Sequence, residues 1–130
     1  MSSDLPVDPR EERQVRLRFR DWRFRVRDII AGVSAAIQYT DGMTYEEFAD
    51  DRRTRDAVVR NLMTMGESVR WIPGPIREAN PDVPWATMRG VRNVVVHEYF
   101  GVDDRILWDT LVHDLPPLLP KLEAVLAKDS

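Results

Sequence analysis

The 130-residue chain contains no cysteine, which excludes disulfides and thiolate zinc sites. Histidine occurs only as His97 and His113. Two imidazoles are too few for a histidine-rich metal centre, so a protein that uses neither metal nor other cofactor is expected. Lysine is nearly absent as well: of 19 basic residues only Lys121 and Lys128 are lysines, and the remainder are arginine. No apolar run approaches the roughly 20 residues that span a bilayer. The opening Met1-Ser2-Ser3-Asp4-Leu5-Pro6 has no apolar core that would act as a signal. A cytoplasmic protein with no membrane partner is the expectation. The length suits one domain able to bury a core unaided, and there is no repeat or low-complexity tract.

The formal charge of −3 means that the molecule as a whole does not attract nucleic acid, as a strongly basic domain would. Any contact with RNA must be local. Eight arginines fall between Arg10 and Arg27, but Glu11, Glu12, Asp21 and Asp28 lie among them at helical spacing. The run reads first as a solvated helix face, with an RNA track or a partner surface as alternatives.

The hydrophobic pattern is helical throughout. Residues 1–11 read as a flexible N-terminal extension and 12–128 as a helical domain. Val15, Phe19, Trp22, Val26, Ile29, Val33 and Ala36 form the stripe of one long helix over about 12 to 39. Thr44-Tyr45-Glu46-Glu47 has the form of a capping box, predicting a short helix that ends near Asp50. A third helix, starting at Asp51 or Thr54, carries Val58, Leu62, Met65, Val69 and Ile72 on one face. Pro73, Gly74, Pro75 and Pro81 mark a loop holding about one turn near Ile76 to Ala79.

Pro84 suits the first turn of a fourth helix through Met88, Val91 and Val95 that ends by Gly101. Asp103 caps a fifth, through Ile106, Leu107 and Leu111, which Pro116, Pro117 and Pro120 kink or interrupt before Leu122, Val125 and Leu126. Val94-Val95-Val96 alone has strand character, yet nothing else in the chain offers it a pairing partner. The predicted architecture is an all-α bundle of four main helices plus a short one.

The segment Arg92-Asn93-Val94-Val95-Val96-His97-Glu98-Tyr99 sets a fixed cation, a titratable imidazole and a phenol within eight residues at the end of the fourth helix. From the chain's own composition, about 0.006 matches to Arg-x-x-x-x-His-x-Tyr are expected by accident. At about 100° per residue, Tyr99 returns to the side of Arg92, whereas His97 lies about 140° away and shares its side with Asn93. The four groups meet only if the last turn unwinds or a second copy of the chain supplies the other half. The geometry therefore predicts a homodimer with its site in the groove between subunits.

Bland roles exist for each group alone. His97 would suit a helix C-terminus as a cation, Tyr99 would pack half-buried, and Arg92 would pair with Glu67 or Glu98. Together they fit RNA cleavage, because RNA carries its own nucleophile in the 2′-hydroxyl. Histidine as a residue type, with a pKa of about 6.5, moves a proton at neutral pH. Arginine holds the charge gathering on the phosphate, and tyrosine hydrogen-bonds the phosphate or stacks on a base.

Asp82-Val83-Pro84-Trp85, then Arg89-Gly90-Val91-Arg92-Asn93-Val94-Val95-Val96-His97-Glu98-Tyr99-Phe100-Gly101-Val102-Asp103 and Ile106-Leu107-Trp108, closely resemble the HepT-like proteins of the HEPN superfamily. Asp28-Ile29-Ile30, Tyr45-Glu46-Glu47-Phe48 and Gly66-Glu67 resemble the same pattern, and the likeness covers roughly residues 20–126. It implies the toxin of a bacterial toxin–antitoxin pair, a helical homodimer acting as a metal-independent endoribonuclease. It implies Arg92 and His97 as the catalytic pair and Asn93 and Tyr99 as supporting residues. The implied antitoxin is a minimal nucleotidyltransferase of the MntA type, which transfers AMP from ATP to the motif tyrosine, here Tyr99. The reading from a different class is a non-catalytic helical dimer that binds nucleotides or a protein partner. A four-helix metal or cofactor carrier lacks the Glu-x-x-His pairs such sites use.

Overall fold

The computed structural model describes residues 6–97 and 101–128, the side chains of 15–20 excepted. Among the described residues all regular structure is helical: α1 (Pro9–Arg20), α2 (Trp22–Tyr39), α3 (Tyr45–Asp50), α4 (Arg52–Val69), α5 (Gly74–Ala79), α6 (Trp85–His97), α7 (Asp104–Asp109) and α8 (Leu118–Lys128). Val94, Val95 and Val96 lie within α6. The fold is all-α, with α2, α4, α6 and α8 as its main helices.

Asp8 starts the first helix, accepting from the Arg10 amide at 2.8 Å, and Pro9 occupies the first helical position, where no amide is needed. Helix therefore begins inside the stretch expected to be a flexible extension. The expected single helix over 12 to 39 is two. At Asp21 the backbone is extended (φ −66°, ψ 122°) and the carboxylate caps α2, accepting from the Arg23 amide at 2.9 Å. Such a cap is worth about 1 kcal/mol. The apolar period runs across the break, which is why the stripe alone reads as continuous. Val15 and Phe19, on the α1 side of that stripe, lie outside the described side chains.

The capping box at α3 is complete: the Glu47 amide donates to Thr44 Oγ1 at 3.1 Å and the Thr44 amide to Glu47 Oε1 at 2.9 Å. Asp51 caps α4, accepting from the Thr54 amide at 3.0 Å and the Thr54 hydroxyl at 2.7 Å. These bonds, the backbone one foremost, hold its carboxyl below the ordinary value of 3.8.

Beyond α7 the chain widens into a π-helical turn, Thr110–Asp114, in which the Leu115 amide reaches back to the Thr110 carbonyl at 2.9 Å. Pro116 and Pro117 have no amide to continue the ladder, and the helix stops there as expected. Pro120, by contrast, lies in the first turn of α8 and interrupts nothing, since first-turn amides have no intrahelical acceptor.

The helices pack in the order α6, α4, α2, α8, with α3 and α7 across the end of α4. The core runs through Val26, Ile29, Val33 and Ala36 of α2, Val58, Leu62, Met65 and Val69 of α4, Met88 and Val95 of α6, and Leu122 and Val125 of α8. Trp85 seats the start of α6: its ring is buried and its indole N–H donates to the Asn80 carbonyl at 3.1 Å.

Candidate active site

Arg92 is placed by a close helix crossing. A Cβ built on Gly66 in α4 would stand 2.2 Å from Arg92 Cβ and 2.7 Å from the Met88 carbonyl oxygen. Only glycine lets α6 approach α4 this closely. The sequence marks Gly66 as part of the family pattern without disclosing this role; the available signal is a lone glycine inside an otherwise regular helix, a position that costs helix stability unless something gains from it.

The Arg92 side chain is 34% exposed, and its Nε forms an ion pair with Glu67 Oε2 at 3.1 Å. Its Nη1 donates to Asn93 Oδ1 at 3.2 Å. Glu67 also accepts from Arg70 Nη1 at 2.9 Å. Arg92 therefore makes the salt bridge to Glu67 that the sequence allows. A guanidinium carries five N–H donors, so one ion pair and one hydrogen bond leave donors for a phosphate oxygen. A half-exposed pair of this kind contributes no more than about 1 kcal/mol; its main effect is to hold the guanidinium in position.

Arg92 lines a surface depression of about 310 Å³ with Arg25 and Asp28 of α2 and Met63, Thr64, Glu67 and Ser68 of α4. In the sequence Arg25 stands out only as part of the basic run, and Asp28 only as an acidic residue of that run and as part of the family pattern. Neither adjacency to Arg92 follows from local sequence, because it is created by the packing of both α2 and α6 against α4.

His97 is the last residue of α6 and is exposed. Its imidazole makes no hydrogen bond or ion pair to another described residue. The helix stays regular from Arg92 to His97, so the two side chains leave its axis about 140° apart. The structure brings Arg92 and Asn93 together and leaves His97, on the Asn93 side of the helix, apart from Arg92. Asn93 is exposed, as are Val94 (52%) and Val96 (37%). Tyr99 lies outside the described residues, as does Glu98.

The chain leaving the motif is anchored again at Val102 and Asp104. Arg55 of α4 pairs with the Asp104 carboxylate and donates to the Val102 carbonyl at 3.1 Å. The other imidazole, His113, lines a separate depression of about 400 Å³ with Thr110, Asp114 and Lys121. Among the described residues no group of three or more histidine and acidic side chains is placed to hold a metal ion, and no helix is long and apolar enough to cross a membrane.

The family model described as Ribonuclease HepT-like matches residues 29–125. That range takes in α4, α6 and the whole Arg92 to Tyr99 segment. "Putative RNase MJ1380" of Methanocaldococcus jannaschii is 37% identical over 106 residues, covering 82% of this chain and 97% of the relative. "Probable ribonuclease HepT" of Thermococcus cleftensis is 36% identical over 96 residues, 74% of this chain and 87% of the relative. No solved structure gives a significant match. The matched span covers most of the chain and nearly the full length of these relatives, so the chain belongs to the HepT-like ribonuclease family.

Proposed function

We propose that this HepT-like ribonuclease is the toxin of a toxin–antitoxin pair: a cytoplasmic, metal-independent endoribonuclease acting as a homodimer, with Arg92 and His97 as its catalytic residues. The observation that carries the composite site is the regular helix from Arg92 to His97. One chain turns its arginine toward α4 and leaves its histidine exposed, so a phosphate held by Arg92 is served by the histidine of a second copy. Val94 and Val96, exposed on either flank of the side that carries Asn93 and His97, add apolar surface around it, as a self-association surface has.

In this reading Arg92, steadied by Glu67 and Asn93, binds the non-bridging oxygens of the scissile phosphate. His97 takes the proton from the ribose 2′-hydroxyl, the 2′-oxygen bonds to phosphorus, and the P–O5′ bond breaks. The proton goes to the departing 5′-oxygen, leaving a 2′,3′-cyclic phosphate and a 5′-hydroxyl.

The supporting residue Tyr99 is the proposed acceptor of AMP from an MntA-like nucleotidyltransferase antitoxin. AMP there would place a negative phosphate and a base where substrate phosphate must sit, excluding RNA by charge and by size. Tyr99→Phe protein is expected to arrest growth and to escape the antitoxin; full neutralisation of that variant in cells, with no AMP on the protein, contradicts the assignment.

The catalytic reading is tested by incubating wild-type and His97→Ala protein with RNA in excess EDTA and identifying the product ends. Cleavage by wild type alone, with 2′,3′-cyclic phosphate ends, is expected. Cleavage abolished by EDTA, or equal in both proteins, contradicts it.

A further inference from the structure

Trp71, just past the end of α4, leaves 55% of its surface exposed. It is flanked by two guanidinium groups: the central carbon of Arg25 lies 5.2 Å from the ring centroid and that of Arg70 lies 5.8 Å away. Cation–π attraction from both arginines holds the indole in place without burying it. Arg25 makes no ion pair to another described residue.

The cluster is continuous with the catalytic groove. Arg25 lines the same depression as Arg92. Arg70 and Arg92 share the two oxygens of Glu67, at 2.9 and 3.1 Å. Glu67 and Trp71 are separated by about 6 Å at helical rise.

More than half of the Trp71 surface stays open with both guanidinium groups in place, and an exposed aromatic ring beside arginines is the arrangement by which proteins hold single-stranded RNA, with a base stacked on the ring and its phosphate on the guanidinium. A paired base is already stacked within its duplex and offers its face to no such ring. The acidic charge of the whole chain, −3, makes a local site of this kind necessary for an RNA substrate.

We infer that Trp71, with Arg25 and Arg70, is a stacking platform that seats an unpaired nucleotide next to the phosphate held by Arg92, and so selects single-stranded RNA. The inference rests on the ribonuclease reading of the Arg92 groove and adds to it the substrate's conformation and the residues that read it.

The test uses the full-length His97→Ala protein, which holds RNA without consuming it, and a labelled short single-stranded RNA of mixed sequence, with the matching duplex as comparator. The parent is expected to prefer the single strand. Trp71→Ala should weaken that binding about 10-fold, and Trp71→Phe, which keeps a stacking face, should stay within about 3-fold of the parent. Arg25→Ala should weaken binding and reduce the slope of log affinity against log salt by about 0.7, the loss of one phosphate contact to a single strand. A merely structural role would not move that slope.

Unchanged RNA affinity in Trp71→Ala overturns the platform while leaving the ribonuclease reading intact. So does a loss of affinity that accompanies conversion from dimer to monomer in sedimentation, which would make Trp71 a contact between copies. If Trp71→Ala fails to fold, Arg25→Ala decides the matter: a parental affinity and salt slope in that variant overturns the platform. A parent that binds no RNA removes both the platform and the reading it rests on.

Discussion

Arg92 has both a chemical reason to meet a phosphate and a structural reason to stay where it is. Glu67 holds its Nε and Asn93 accepts from its Nη1, so in the proposed mechanism the fork is oriented before substrate arrives. Pre-set charge of this kind lowers the barrier without reorganisation during the reaction. Lysine keeps the charge but replaces the planar fork with a compact ammonium that cannot bind bidentately. Arg92→Lys is therefore expected to lose about 100-fold in kcat while the melting temperature stays near wild type; activity within a few-fold of wild type would show that charge alone suffices there. The Arg92 to Tyr99 motif is legible in the sequence because its residues are close along the chain. Glu67 is legible as one possible partner of Arg92. The neighbours Arg25 and Trp71 are not, because what joins them is the packing of α2 against α4, and no spacing along the chain records it.

Gly66 shows how one position in a helix sets the site. A Cβ at this position would fall 2.2 Å from Arg92 Cβ and 2.7 Å from the Met88 carbonyl oxygen, so any side chain pushes α6 away from α4. Gly66→Ala should gain helix propensity and still lose about 1–3 kcal/mol to overpacking, read by chemical denaturation, with cleavage falling further because Arg92 moves with α6. A variant as stable and active as wild type would mean that the crossing is looser than its geometry. Other elements are announced by local chemistry. The capping box at Thr44 and the cap at Asp103 occur where their residues predict them, and Pro84, expected in the first turn, stands one residue ahead of α6. The break at Asp21 is hidden because a capping aspartate sits within an apolar period that continues past it, and periodicity reports the buried face rather than continuity of the backbone. The described part of α6 runs to His97, and residues 98–100 lie outside the described part of the chain.

For the whole molecule, the acidic charge, the all-α fold and the groove beside α4 combine into one account. A chain of net charge −3 handles RNA only by gathering arginines locally, and α2, α4 and α6 gather Arg25, Arg70 and Arg92 around Glu67 and Trp71. The histidine stands apart from that group on the same helix, and the account depends on a second copy of the chain to bring it back. The most direct measurement of that dependence is complementation between inactive subunits. Arg92→Ala and His97→Ala chains, each inactive by itself, are co-expressed with different tags, and the mixed dimer is purified and assayed on single-stranded RNA. The account predicts that the mixed dimer regains about half of the wild-type rate, because one of its two sites then combines an intact Arg92 from one subunit with an intact His97 from the other. A mixed dimer as inactive as its parents would contradict it, placing both residues of each site on the same chain.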